Sequence, residues 1–374
     1  MIRTRIVPAV VCAALVLACA ACAGETQSVT TAMRTASVPT TSADQELAAP
    51  SAGGPASTGE ESLIAPSLAA TGAAPAVVPV NTIWPSATDA LVIVEISVGG
   101  GPSVPVKLDT GSSGLLIDET AVGPEVSQEG GQPFSTSFVS GTVSGTTATG
   151  TVTIGGISTP NPIEIGLLPE NAFDGSGPET RGLMGIASAN DASFDGGVFA
   201  PNLQLAAPYS SGSTFQIAQN GSGTWTLGTV TAPSGAIDIP LVPVTPSTTY
   251  PGGGTVYAKD VDLCWTIATM PPACGTTDLD MGSPRTALNT SQYSALNSGN
   301  GELAPGQPLA IATPQGASLW SFTTGSSVGQ DVVALDELGT TTVFNTGIGY
   351  FFGRTIAFDY AGGQLYVTGQ SAAG

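Results

Sequence analysis

Asp109 closes the run Val104-Pro-Val-Lys-Leu-Asp109 and is followed at once by Thr110, Gly111 and Ser112, with Leu115-Leu-Ile117 beyond. Strand-forming residues on both sides of Asp-Thr-Gly-Ser predict a strand, a tight turn and a second strand, with the carboxylate held at the turn. Gly111 permits a sharp reversal and the close approach of another segment. The Thr110 and Ser112 hydroxyls can hydrogen-bond backbone or carboxylate oxygens. A second carboxylate stands in the same frame, Asp280-Met-Gly-Ser283, preceded by Leu279. Asp278 competes for that role but lacks the x-Gly-Ser that follows Asp280. Two carboxyl groups held together cannot both ionise, so they share a proton and can act as acid and base at once. Taken singly, either turn could be no more than an Asx-turn in a β-protein.

Composition removes most other chemistries. The 374 residues include no histidine, which excludes Ser-His and Cys-His catalysis and any His-ligated metal site. Eight Lys and Arg against 28 Asp and Glu, for a formal charge of -20, argue against nucleic acid as a partner. The same balance argues against docking on anionic lipid through charge.

The elements that must hold the two turns are strands. From Leu91-Val-Ile-Val-Glu-Ile-Ser-Val98 onward, short Val/Ile/Thr runs alternate with Gly, Pro, Ser and Asn, and few segments keep a helical period. This predicts an all-β fold. The two Asp-x-Gly-Ser turns form a weak repeat, which divides the folded part into lobes at 81–209 and 210–374.

Two such turns, one in each half of a long chain, resemble the pepsin-like aspartic proteases. Phe134-Ser-Thr-Ser-Phe138-Val-Ser-Gly-Thr-Val-Ser-Gly145, running on to Val152-Thr-Ile-Gly-Gly-Ile157, resembles the β-hairpin flap over the substrate. Gly182-Leu-Met-Gly185 is similar to the segment that supports the first aspartate. Phe215-Gln-Ile-Ala and Gly223-Thr-Trp-Thr-Leu-Gly228 are similar to the start of the second lobe. Asn345-Thr-Gly347, Phe351-Phe-Gly-Arg-Thr-Ile-Ala-Phe-Asp359 and Gln364-Leu-Tyr-Val367 are similar to the closing segment. The resemblance spans roughly Ile83 to Val367, and it rests on the order of the motifs more than on any one of them.

The resemblance implies a bilobal fold with the active site in the cleft between the lobes. Asp109 and Asp280 would activate a water for peptide hydrolysis, with no cofactor and no metal. It also implies that the Ser112 and Ser283 hydroxyls bond the outer carboxylate oxygens, and that Gly111 and Gly282 bring the turns together. Phe138, Val139 and Ser140 would form the flap over a protein or peptide substrate. Four departures stand out. Met281 replaces the residue whose hydroxyl would answer Thr110 across the turns, Phe138 fills the flap tyrosine position, and Leu116 stands where a tryptophan often supports that tyrosine. In the closing segment, Asn345-Thr346 takes the place of a hydrophobic pair. The alternative these leave open is a catalytically impaired fold serving as a surface peptide- or glycan-binding lipoprotein.

Residues 1–23 read as an export signal, with Arg3 and Arg5 ahead of the apolar run Ile6 to Leu17. Val16-Leu-Ala-Cys19 and Cys19-Ala-Ala-Cys22 each partly match the lipoprotein cleavage box, making Cys19 and Cys22 the lipidation candidates. An ordinary cleaved signal or an uncleaved anchor are the alternatives. Residues 24–80, dominated by Ala, Ser, Thr, Pro and Gly, cannot bury enough apolar surface to fold and are expected to be a disordered tether. The expectation is therefore an exported, lipid-anchored or secreted monomer that meets a membrane only through its lipid. Export into an oxidising compartment would pair Cys264 with Cys274, the remaining cysteines of the folded part. The first motif and the Ala/Gly-rich tether also resemble mycobacterial aspartic proteases that cleave secreted PE-family proteins, which implies a PE-type substrate.

Overall fold

The computed structural model describes residues 73–138, 141–170, 172, 180–188, 200–244, 250, 254–325, 331–336, 338 and 344–369. Contacts divide the chain into two units, Met1–Pro66 and Ser67–Gly374, and all that is described lies in the second. Cys19 and Cys22, the signal and most of the tether, Val139 and Ser140 lie outside the described residues.

The second unit is all-β and bilobal, built on two curled sheets of 15 and 7 strands. The strand Val104–Asp109 shows why these segments pair. Val104, Val106 and Leu108 are buried, while Pro105 and Lys107 are half-buried on the opposite face, as a two-residue period requires. Ser113–Asp118, by contrast, is buried at every position. It is a central strand, with Gly182–Ile186 on one side and Ile163–Leu168 on the other, so neither face reaches water.

The repeat inferred from the two turns is present in the hydrogen-bond pattern. In the first half, Gly182–Ile186 inserts between the strands flanking Asp109, parallel to Val104–Asp109 and antiparallel to Ser113–Asp118. In the second half, Phe344–Asn345 inserts in the same way, parallel to Ala273–Asp278 and antiparallel to Thr286–Asn289. Each flanked strand then takes a further parallel neighbour, Ile163–Leu168 in one case and Val333–Asp336 in the other. Phe344 is fully buried, stacked on Trp265 at a centroid distance of 4.8 Å, and this packing seats the adjoining Asn345.

Two boundaries differ from the sequence reading. Ala76–Ile83 is already a strand, paired with Leu91–Val98 and with Gly221–Leu227, so the ordered chain begins ahead of residue 81. Its alternating Val78 and Val80 are buried, and Ala/Pro-rich surroundings masked that short period. The lobes also do not separate at 209. Gly212–Gln216, Gly221–Leu227, Ile237–Pro240, Thr355–Asp359 and Gln364–Val367 all join the larger sheet with strands of the first half. Phe215 packs against Trp225, Phe351 and Phe358 there, so burial of this aromatic cluster draws both ends of the second half onto the first.

Candidate active site

Asp109 is the last residue of its strand, paired with Gly185 of the inserted strand. The turn that follows folds back on its carboxyl group. The Gly111 amide donates to Oδ1 at 2.7 Å and the Ser112 hydroxyl donates to Oδ2 at 2.5 Å. Asp280 is held by a similar turn, with the Gly282 and Ser283 amides donating to Oδ1 at 2.7 and 3.0 Å.

The two turns meet at their glycines. A β-carbon at position 111 would lie 2.5 Å from Asp280 Cγ, and one at position 282 would overlap the Asp109 carboxyl. Each aspartate thus occupies space that only a glycine opposite leaves free. The carboxyl groups are close enough that Asp280 acts on Asp109 through its charge and through a side-chain hydrogen bond. Burial, and then the neighbouring Asp280, push Asp109 up to about 7 from its ordinary value of 3.8, against the opposing pull of Lys107 and Ser112.

A single residue braces the turns. The buried Thr110 hydroxyl donates to the Leu279 carbonyl at 2.5 Å and accepts from the Met281 amide at 2.7 Å, gripping the backbone on both sides of Asp280. Met281 answers with no hydroxyl; its side chain is fully buried in the hydrophobic core. The brace is one-sided in hydrogen bonds and is completed by apolar packing.

One expected role is filled by a different residue. The Ser283 hydroxyl does not bond the Asp280 carboxylate but donates to the Arg285 carbonyl at 2.8 Å. The outer oxygen of Asp280, Oδ2, instead accepts from Asn345 Nδ2 at 2.8 Å. Asn345 is 6% exposed, and its own carbonyl oxygen takes the Gly347 amide at 2.8 Å, which fixes the orientation of the amide group. The sequence carried a signal for this. Asn345 breaks an apolar pair, and a polar residue in a buried strand must find a partner.

Asp278 is not the second member of the pair. It pairs with Lys259 and is buried. Burial and then Asp280 push its carboxyl up, while Lys259 pulls it back. Burial alone would lower Lys259, but Asp278 and Asp260 outweigh it and hold the ammonium charged. Lys259 was not singled out from the sequence, because nothing in a lone lysine of the strand approach marks its neighbours.

The flap strands Pro133–Phe138 and Gly141–Gly150 form a hairpin ladder in which Phe138 opposes Gly141. Phe138 and Val143 pack against a small cluster of Leu116, Phe134 and Leu168, separate from the main core. Leu116 therefore supports the flap aromatic by apolar contact. The flap and both turns line one cleft of about 1250 Å³ that contains Asp109, Asp280, Phe138 and Asn345. Cys264 and Cys274 are disulfide-bonded and face each other on the paired strands Asp260–Ile267 and Ala273–Asp278. That bond staples the strand leading into the second turn. Among the described residues no three His, Cys, Asp or Glu side chains gather as a metal would need.

An all-β bilobal fold with two carboxylates facing across paired glycine turns defines an aspartyl-peptidase-like protein. Residues 77–367 match the PE-PGRS C-terminal aspartyl peptidase-like domain, and the chain belongs to that family. No curated protein matches it.

Proposed function

We propose that the protein is an aspartic endopeptidase of the pepsin-like type, with Asp109 and Asp280 as its catalytic residues. The observation that carries this is the mutual seating of each carboxyl against the opposite turn's glycine in a cleft large enough for a peptide.

The hydrogen bonds divide the labour within the pair. Asp280 accepts two backbone amides and the Asn345 amide. Asp109 accepts one amide and one hydroxyl and is the more buried, so the shared proton rests there. A water between the carboxyls gives a proton to Asp280 as its oxygen attacks the scissile carbonyl carbon. Asp109 donates its proton to the carbonyl oxygen. As the tetrahedral diol collapses, Asp280 gives its proton to the leaving nitrogen, a diol hydroxyl gives its proton to Asp109 and the C–N bond breaks, leaving the pair with one proton again. The flap with Phe138 closes over the peptide and excludes bulk water.

The export-signal and tether readings of residues 1–80 support an activity outside the cell, lipid-anchored through Cys19 or Cys22 or else secreted, by a monomer. A secreted PE-type protein is the proposed substrate, on the strength of the family resemblance.

The experiment is peptide cleavage by the purified protein and by Asp109→Asn, Asp280→Asn and the double variant. Each single change should abolish cleavage, and the double should be no worse, because partners in one step are not additive. Retained cleavage in either single variant would overturn the assignment. Peptide binding without any cleavage by the wild type would support the impaired, ligand-binding alternative.

A further inference from the structure

The described part of the chain holds five cations, and four of them are committed to protein partners. Arg181 pairs with Asp118, Lys259 with Asp260 and Asp278, and Arg285 with Asp89 and Glu302. Arg354 is buried over the Trp320 and Tyr350 rings and donates to the Leu319 carbonyl. Lys107 differs from all of these. Among the described residues it makes no ion pair and no hydrogen bond, although the sequence offers 28 carboxylates to eight cations.

Its position is specific. Lys107 lies two residues before Asp109 on one strand, so both side chains leave the same face, about 6.6 Å apart along the backbone. Leu183 pairs with it on the neighbouring strand, and both residues line the cleft beside the dyad. A peptide laid across Asp109 and Asp280 must pass a side chain over this wall. Lys107 acts on Asp109 through its charge but forms no ion pair among the described residues, so a ligand carboxylate reaching this wall would engage its ammonium by a charge-assisted hydrogen bond.

Building on the peptidase reading, we propose that Lys107 is a specificity-determining residue that selects a substrate with an acidic side chain adjoining the scissile bond. A chain this acidic repels acidic peptides elsewhere on its surface, so Lys107 makes the cleft wall the place where such a peptide is accepted. A neutral or basic side chain at that position would leave the ammonium unpaired.

The test uses the full chain and matched peptides that carry Glu, Gln or Lys beside the cleaved bond, at pH 6, where a free Glu is ionised with its pKa of about 4.3. The Glu:Gln ratio of kcat/KM should be about tenfold or more in the wild type, the range of a hydrogen bond to a charged group. Lys107→Met should bring the ratio to about one, Lys107→Arg should keep a preference, and Lys107→Glu should favour the Lys peptide. Because both peptides meet the same dyad, the ratio cancels any effect of the substitution acting through Asp109. The ratio should also vanish below about pH 4 as the peptide Glu takes up its proton. The same ratio is measured as peptide Kd on Asp280→Asn, so the charge preference is read even if the wild type cleaves nothing, which would sink the peptidase reading alone. A Glu:Gln ratio near one in both readouts, or a ratio unchanged by Lys107→Met, would overturn the proposal.

Discussion

Asn345 Nδ2 lies 2.8 Å from Asp280 Oδ2, which makes a residue from the closing segment of the chain a direct partner of the second aspartate. The contact depends on the parallel pairing of Asn345 with Asp278, two residues ahead of Asp280. Replacing Asn345 by Ala removes a donor to a charged group, an interaction typically worth about 1.5–3 kcal/mol. We expect kcat/KM to fall at least about tenfold in steady-state peptide cleavage. Thermal unfolding of the same variant should also show a loss, since the Gly347 amide loses its acceptor.

Gly282→Ala and Gly111→Ala each place a methyl where the opposite aspartate's carboxyl now sits. The turns must part, at a cost of about 1–3 kcal/mol for overpacking. Moving the pair by about 1 Å costs on the order of 100-fold in rate. Activity should therefore fall much further than stability, as judged by kcat and the urea midpoint measured on one preparation.

Met281→Thr tests whether the missing hydroxyl matters. Restoring a hydroxyl would return a cross-turn hydrogen bond and, by itself, keep or raise activity. The structure predicts a net loss of stability, since a fully buried methionine is exchanged for a smaller polar side chain. The cost should be about 2–3 kcal/mol, within the range for truncating core side chains. An increase in Tm would show that the brace outweighs the packing.

The raised Asp109 carboxyl sets two pH dependences. Below about pH 4 both folded and unfolded chains hold its proton, and its stability contribution is fully present. As pH climbs from there through about 7, the unfolded chain releases the proton while the fold retains it, so that contribution is lost. Asp109→Asn cannot ionise and should gain stability over wild type between pH 4 and pH 8, read as the difference between their urea midpoints. Cleavage should decline above about pH 7, when the pair gives up its remaining proton. A kcat/KM profile flat from acid to alkali would contradict a shared-proton pair.

What the sequence by itself determined is the local chemistry. The alternation through Val104–Asp109, the glycine after each aspartate and the repeated Asp-x-Gly-Ser frame are properties of neighbouring residues, and they point to β strands with carboxylates at tight turns. The family's motif order extended this to two lobes and the flap, and the export reading extended it to the Cys264–Cys274 pairing. Tertiary structure decided which groups meet. Ser283 and Asn345 are 62 positions apart, and only the insertion of Phe344–Asn345 beside Asp278 gives the Asp280 oxygen an amide instead of the serine hydroxyl. The same insertion leaves Asp278 to Lys259. Lys107 looks in sequence like any strand lysine, and that it forms no ion pair among the described residues is visible only in the fold. Long-range pairing and burial, which assign partners and set the Asp109 proton, act between segments whose separation along the chain carries no trace of their contact.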